Sequence, residues 1–196
     1  MIQNKQLIIG VTGITGSGTS TVSAILAEEG GFVISADKLT HELMQPGHAV
    51  YDKIVMRFGD TILNEGGQIN RKALGGMVFG NPTVLKELES IIHPEVIKET
   101  KKLLSEPYKF AVIDAPLLIE SDMYKMCDTV WLVTATNETR IARIMSRDSI
   151  SAEIAMKRIS SRKGDDYLRP FVQVEIENNG TTEELVRRIK KELQFV

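Results

Sequence analysis

The sequence predicts an α/β fold with three layers, in which helices cover both faces of a parallel sheet. Short apolar, β-prone runs alternate along the chain with segments whose apolar residues recur at helical spacing. Runs that are apolar throughout are typical of strands buried on both faces of a sheet. The chain has 196 residues, too few for two ordinary independent domains, so one domain with insertions is expected.

The elements follow from these patterns in chain order. The predicted strands are residues 7–11, 32–35, 110–114, 129–133 and 171–176. The predicted helices are residues 19–28, 38–44, 51–58, 70–79, 82–92, a continuation after His93-Pro94 to residue 104, 120–126, 137–147, 151–162 and a C-terminal helix capped by Thr181. Residues 38–104 are thus helical throughout, and an insertion of this size commonly builds a substrate site.

One loop matches a phosphate-binding motif. After the first predicted strand the chain reads Gly13-Ile14-Thr15-Gly16-Ser17-Gly18-Thr19-Ser20, the Walker A pattern with Thr19 in place of its lysine. Glycines let backbone N–H groups wrap a phosphate, and the following helix N-terminus adds the positive end of its dipole. Ser20 keeps the hydroxyl expected to bind Mg²⁺, and Thr21 follows it. A tight turn without a ligand is the alternative, but strand, loop and helix occur together, which favours phosphate binding.

The missing lysine bears on turnover more than on nucleotide affinity. Its ammonium group normally offsets charge on the β- and γ-phosphates in the transition state. Three interpretations of Thr19 follow: another cation takes its place, the enzyme is slow, or the protein binds a nucleotide without transferring phosphate. The sequence does not choose among them.

Composition limits the expected partners and compartment. The chain is 42% hydrophobic and 26% charged, with a net charge of −2 and a pI near 6.0, which favours a small charged ligand over nucleic acid or a membrane surface. Cys127 is the sole cysteine, so no internal disulfide is expected, and a small core residue is predicted there. No signal segment precedes the first strand, and no apolar run approaches the roughly 20 residues of a membrane helix. A cytoplasmic location is predicted.

An aspartate follows the second predicted strand. Ligands of open α/β sheets bind at the carboxyl ends of the strands, which places Asp37 in the same crevice as the glycine loop. A carboxylate there can orient an attacking hydroxyl group toward the γ-phosphate. A helix N-cap before Lys38 is the alternative role, and the two are compatible.

Over nearly its whole length the chain resembles the dephospho-coenzyme A kinases, which are P-loop kinases of the nucleoside monophosphate kinase type. The matching segments are Gly10-Val11-Thr12-Gly13, Gly16-Ser17-Gly18, Ala36-Asp37, His41-Glu42, Phe58-Gly59, Ile69-Asn70-Arg71, Leu88-Glu89, His93-Pro94, Pro116-Leu117-Leu118-Ile119-Glu120, Arg147-Asp148 and Ile176-Glu177-Asn178-Asn179-Gly180. His93-Pro94 and the segment 116–120 are much more specific than the glycine loop alone.

The resemblance implies a P-loop NTPase fold and ATP-dependent phosphorylation of the ribose 3′-hydroxyl of dephospho-CoA, the last step of coenzyme A synthesis. It divides the chain into a core (1–37, 105–139 and 170–196), a helical CoA-binding insertion (38–104) and a helical lid over ATP (140–169). The expected partners are dephospho-CoA, ATP and Mg²⁺. A monomer or a small homo-oligomer is expected.

The resemblance also implies roles for individual residues, with Asp37 as the group that accepts the hydroxyl proton or holds it through magnesium and water. Candidate acceptor contacts are His41, Arg71, His93, Leu117, Leu118 and Glu120. Arg143 and Arg147 of the lid are further candidate catalytic residues, which reach the ATP phosphates, and Asn178 and Gly180 are candidate ATP contacts outside the glycine loop. Structural roles for the histidines and Arg71, core positions for the leucines and a solvated basic face for the lid arginines are the alternatives that stay open.

Departures from the family pattern cluster around the loop and the lid. Besides Thr19, Arg162 stands where glutamine is usual, Leu168 where lysine is common and Gln173 where aspartate usually precedes the last strand. We hypothesise that Arg162, Lys163, Arg143 or Arg147 supplies the charge missing at Thr19. The functional alternatives are a related P-loop kinase with another acceptor or donor, and a catalytically weak protein that binds nucleotide or CoA.

Overall fold

The computed structural model describes residues 6–78, 80–161 and 163–195. Within them the sheet has five parallel strands, Ile8–Thr12 (β1), Gly31–Ser35 (β2), Phe110–Asp114 (β3), Thr129–Thr134 (β4) and Val174–Glu177 (β5). Their order is β2-β3-β1-β4-β5. Because β1 is central, with Gly10 opposite both Ile113 and Val130, the loop that follows β1 leaves the middle of the sheet at its carboxyl edge. The predicted α/β fold with a parallel sheet is confirmed.

Helices connect the strands. They are Thr19–Glu28 (α1), Ala36–Leu43 (α2), Ala49–Phe58 (α3), Arg71–Val78 (α4), Pro82–Leu103 (α5), Asn137–Asp148 (α6), Ala152–Ser160 (α7), Asp165–Leu168 (α8) and Thr182–Leu193 (α9). Short 3-10 helices lie at Asp60–Ile62, Met123–Met126 and Arg169–Phe171. None of the helices in the described ranges is long and apolar enough to cross a membrane.

The chain forms two compact units. The first comprises residues 1–35 and 107–196 and contains the sheet. Its main core is built around the fully buried side chains of Ile9, Leu26, Trp131 and Ile189, so both α1 and α9 pack on the sheet. Apolar burial of this kind provides most of the favourable free energy that holds the helices in place.

The second unit comprises residues 36–106, whose described part contains α2 to α5, one 3-10 helix and one isolated β-bridge. It has its own core, in which Val50, Ile54 and Ile62 are buried almost completely. The helices α2, α3 and α4 each pack against the long helix α5. The unit therefore has the apolar contacts needed to hold its helices in a defined arrangement.

Three predicted elements are wrong in detail. The helix predicted to break at His93-Pro94 is a single helix, because Leu88 before the proline and Val96 after it are both buried and packing holds the two halves together. The helix predicted at 120–126 is a series of turns and a 3-10 helix, since Asp122 has a left-handed φ of 62°. Phe171, the predicted start of the last strand, lies in a 3-10 helix before β5. The predicted helix ends at Phe79 and Arg162 lie outside the described residues.

Candidate active site

The glycine loop spans from the end of β1 at Thr12 to the start of α1 at Thr19. A turn inside it is closed by the Ser17 amide, which donates to the Ile14 carbonyl at 3.0 Å. Gly16 and Gly18 have φ values of 87° and 96°, a region that side chains disfavour. The loop therefore ends with free helical N–H groups at the start of α1, the arrangement that binds anions.

Packing as well as backbone conformation requires the glycines. A Cβ atom on Gly13 would lie 2.6 Å from the Val133 carbonyl oxygen in β4, and one on Gly16 would lie 3.0 Å from the Arg140 carbonyl oxygen in α6. A Cβ atom on Gly18 would lie 2.3 Å from Nδ2 of Asn178. The loop is thus enclosed by β4, α6 and the residue that follows β5.

Two side chains hold the loop from the side of α6 and β5. Arg143 donates from Nη1 to the carbonyl oxygens of Gly16 (3.3 Å) and Ser17 (3.0 Å). Asn178 donates from Nδ2 to the same Ser17 oxygen at 2.8 Å. Arg143 also donates from Nη2 to the backbone oxygen of Asn178 (2.9 Å) and to its Oδ1 atom (3.2 Å). The predicted lid arginine and the predicted adenine-loop asparagine therefore meet at the backbone of the glycine loop.

A sequence model of the dephospho-CoA kinase family matches residues 7–184 of the chain. The chain belongs to the dephospho-CoA kinase family. A dephospho-CoA kinase of Carboxydothermus hydrogenoformans is 40% identical over 191 residues, covering 95% of this chain and 93% of that protein. One of Geobacter sulfurreducens is 41% identical over 188 residues, covering 94% and 95%.

Solved structures agree with this membership. The protein TT1252 from Thermus thermophilus superposes with a TM-score of 0.85 at 31% identity, covering 98% of this chain and 99% of that one. A dephospho-CoA kinase from Campylobacter jejuni gives 0.68 at 27% identity, covering 97% and 96%. A shikimate kinase from Acinetobacter baumannii gives 0.54 at 15% identity, covering 97% and 93%, which shows a shared fold alone.

The second arginine of the predicted lid in this dephospho-CoA kinase family member, Arg147, binds a neighbouring carboxylate. Arg147 donates from Nε and Nη2 to the two carboxylate oxygens of Asp148, at 2.7 and 2.9 Å, and its side chain is 63% exposed. These hydrogen bonds hold the pKa of Asp148 below its ordinary value, and Arg158 adds to the effect. Of the two arginines expected to reach inward, Arg143 contacts the loop, whereas Arg147 matches the solvated alternative in this structure.

The rest of the predicted lid forms contacts that the sequence did not indicate. Arg140 in α6 forms a buried ion pair with Asp165 in α8. Lys163 lies 3.7 Å from the centroid of the Tyr167 ring, a cation–π contact. Leu168 is buried, so the position where family members commonly have lysine is an apolar contact here. Arg162 lies outside the described residues.

Gln173 departs from the family pattern without losing a hydrogen bond to β4. Its Oε1 atom accepts from the backbone N–H of Val130 at 2.8 Å, and its backbone N–H donates to the Val130 carbonyl at 3.0 Å. A side-chain oxygen is what this position needs, and both glutamine and aspartate supply one.

The candidate residues in the segment after β3 differ in burial. Leu118 is fully buried under β1, where its Cδ2 atom and Sγ of Cys127 would each lie 2.7 Å from a Cβ on Gly10, which favours the core alternative for this leucine. Leu117 is half-buried and Glu120 is exposed, so both have surface for a ligand. Burial raises the pKa of the Cys127 thiol to about 12, which leaves it un-ionised and unreactive at neutral pH.

The other acceptor candidates lie in the unit of residues 36–106. Asp37 and His41 are four residues apart on α2 and both are exposed, so they share one face of that helix. Because α2 begins at Ala36, Asp37 lies within the first turn and is not its N-cap. Arg71 is exposed as the first residue of α4, and His93 is half-buried in α5.

The residues present fit a magnesium ion that is bound mainly through nucleotide phosphates. Among the described residues, no group of three or more histidine, cysteine, aspartate or glutamate side chains forms a metal cage. The Ser20 hydroxyl is exposed in the first turn of α1, beside the phosphate-binding amides. An oxygen ligand of this kind suits Mg²⁺, which keeps several water ligands and binds substrate phosphates.

Proposed function

We propose that this chain is a dephospho-CoA kinase that transfers the γ-phosphate of Mg-ATP to the ribose 3′-hydroxyl of dephospho-CoA. The observation that carries the proposal is the glycine loop, enclosed by β4, α6 and Asn178, in a chain that belongs to this family. Loop and helix N-terminus provide the N–H donors that a triphosphate requires. The bounds of the core, of the insertion 38–104 and of the lid 140–169 form part of the proposal.

On the donor side, the loop from Gly13 to Thr21 binds the phosphates and holds the γ-phosphate in line for attack. The donors are its free amides, since those of Ser17 and Thr21 donate to the carbonyls of Ile14 and Gly18. Ser20 would hold Mg²⁺, which would neutralise phosphate charge when bound. Arg143 keeps the loop in shape through its contacts with two loop carbonyls. Asn178 contributes to the same support, and Gly180 lies in the turn that precedes α9 and is the proposed neighbour of adenine.

On the acceptor side, Asp37 takes the proton of the 3′-hydroxyl as the oxygen attacks the γ-phosphorus. The bond between the γ-phosphorus and the β–γ bridging oxygen breaks, and ADP leaves with the electron pair. His41, Arg71 and His93 bind the anionic groups of the acceptor. Leu117 and Glu120 line the acceptor site. The exposed carboxylate of Asp37, in the first turn of α2, is open to an incoming hydroxyl group, as a general base has to be.

Asp37→Asn tests this assignment in a coupled assay with dephospho-CoA and ATP. We expect kcat to fall by about 10²- to 10⁴-fold, the range for loss of a general base, with little change in KM for ATP. The matched control is Asp52→Asn, which removes an exposed carboxylate from the first turn of α3 in the same unit and should leave kcat unchanged. Equal activity of the wild-type and Asp37→Asn proteins would refute the role of Asp37.

A second candidate function is favoured by Thr19, which removes the cation that normally contacts the β- and γ-phosphates. In that case the chain binds nucleotide or CoA and transfers phosphate slowly or not at all. The deciding measurement is product formation with ATP, GTP and other donors, and ADP binding is measured in parallel by calorimetry. Absence of product with every donor despite ADP binding supports the binding protein. A large gain in kcat for Thr19→Lys identifies a weakened enzyme.

A further inference from the structure

One peptide group of the glycine loop is held by two side-chain donors. The Ser17 carbonyl oxygen accepts from Arg143 at 3.0 Å and from Asn178 at 2.8 Å. Asn178 is buried, and its own oxygen atoms accept from the second terminal nitrogen of Arg143. We call Arg143, Asn178 and the Ser17 carbonyl the loop clamp. Each member of the clamp is fixed by the other two.

The clamp determines where the next N–H group points. The described peptide bonds are trans, and in a planar trans peptide the carbonyl and the following N–H point in opposite directions. Since the Ser17 oxygen faces Arg143 and Asn178, the Gly18 N–H faces away from them. This N–H donates to no described group, whereas the Ser17 N–H is used by the Ile14 carbonyl. The Gly18 amide is therefore available to a ligand on the open side of the loop.

Arg143 brings a positive charge to the loop without contacting the ligand itself. Both terminal nitrogens of its guanidinium are engaged, each with two oxygen acceptors. A cation at a carbonyl oxygen polarises the peptide group and strengthens the opposite N–H as a donor. The effect is largest where water is excluded, as around the buried Asn178.

We propose that Arg143 and Asn178 are positioning residues that orient and polarise the Ser17–Gly18 peptide toward the nucleotide phosphates, and that the loop clamp thereby replaces part of the stabilisation lost at Thr19. The proposal deepens the donor side of the proposed function and rests on it. Its consequence is that the lysine's contribution to nucleotide binding is replaced in part through the backbone of the loop. The lid positions Arg147 and Lys163 are not needed for this part of the effect.

The first test measures ADP affinity by calorimetry for Arg143→Ala and Asn178→Ala. We expect each variant to bind ADP about 10-fold more weakly, the loss typical of one charge-assisted or buried hydrogen bond. Arg143→Lys keeps the charge but not the forked contacts and should recover part of the affinity. The matched control is Arg188→Ala, because Arg188 donates to the Glu177 carbonyl (2.8 Å) next to Asn178 and not to the loop. ADP affinities equal to that of the control would overturn the clamp.

The second test asks whether the clamp compensates for Thr19. In a double-mutant cycle, the loss of ADP affinity caused by Arg143→Ala should be at least threefold smaller in a Thr19→Lys background, since a direct lysine contact makes the Gly18 amide less important. Equal losses in both backgrounds would overturn compensation. The Gly18 amide proton should also shift downfield on ADP addition in wild type and less so in Asn178→Asp, a change that general destabilisation does not produce. All these measurements use ADP alone, so they stand even if dephospho-CoA proves not to be the acceptor.

Discussion

A buried ion pair joins Arg140 of α6, the helix that packs against the glycine loop, to Asp165 of α8. Its side chains are 6% and 17% exposed, and Nε of Arg140 and Oδ1 of Asp165 have no hydrogen-bond partner among the described residues. Asp165→Leu leaves a guanidinium that stays charged in a dry site, which should cost about 3–5 kcal/mol of unfolding free energy. Arg140→Met leaves a carboxylate that retains some access to water, and about 2–3 kcal/mol is expected.

Because the pair is incompletely hydrogen-bonded, replacing both partners with apolar side chains should restore stability to within about 1 kcal/mol of wild type. The assay is urea unfolding followed by circular dichroism, with m-values compared to confirm that the same surface is exposed. Lys157→Met is the control, since its ion pair with Glu153 on α7 is exposed at both ends and should contribute little. If the single and double variants are all as stable as the control, the ion pair behaves as a surface pair and the reasoning is refuted.

Two further substitutions test the loop and the segment beneath it. Gly18→Ala should reduce ADP affinity at least about 10-fold and destabilise the fold by about 1–3 kcal/mol, because its φ is 96° and its Cβ would meet Asn178. Gly47→Ala, with φ of 94° and no atom within 4 Å of its Cβ, isolates the backbone strain and should leave ADP affinity unchanged. For Cys127, the folded pKa of about 12 lies above the ordinary 9.0, so the unfolded chain loses its proton first as pH rises and stability falls above pH 9. Cys127→Ala should remove a slope of about 1.4 kcal/mol per pH unit in urea unfolding between pH 9 and the onset of alkaline denaturation, and an unchanged slope contradicts the raised pKa.

The architecture could be predicted because its signals are local. An apolar run such as 129–133 has few alternatives to a buried strand, and Thr181 with Glu184 forms the capping box that starts α9. The errors arise where tertiary contacts or a single dihedral angle decide. Pro94 predicts a break that packing on both sides overrides, and the left-handed φ of Asp122 has no signature in the residues around it.

The glycine loop of the candidate site could be predicted from the sequence, but the side chains that hold the loop could not. Helical periodicity places Arg143 and Arg147 on one face, but it does not show that Asp148 binds the second and leaves the first to the loop. Asn178 follows the strand beside β4, so the sequence indicates its position at the carboxyl edge. Its direction depends on the Ser17 carbonyl, more than 150 residues away in sequence, and no local pattern records that contact.

The position of Arg143 bears on which cation could replace the lysine that is missing at Thr19. To contact a phosphate directly, its guanidinium would have to give up hydrogen bonds to four oxygens, two of which stabilise the loop that binds that phosphate. Charge-assisted hydrogen bonds are each worth more than neutral ones, so this exchange would weaken the site that it is meant to serve. In the loop-clamp proposal, Arg143 therefore acts from behind the backbone, where it favours nucleotide binding. A cation that acts on the transition state itself has to come from a side chain with fewer hydrogen bonds to give up. Lys163, whose contact in this structure is a cation–π contact with Tyr167, meets that requirement better than Arg147, which donates two hydrogen bonds to Asp148.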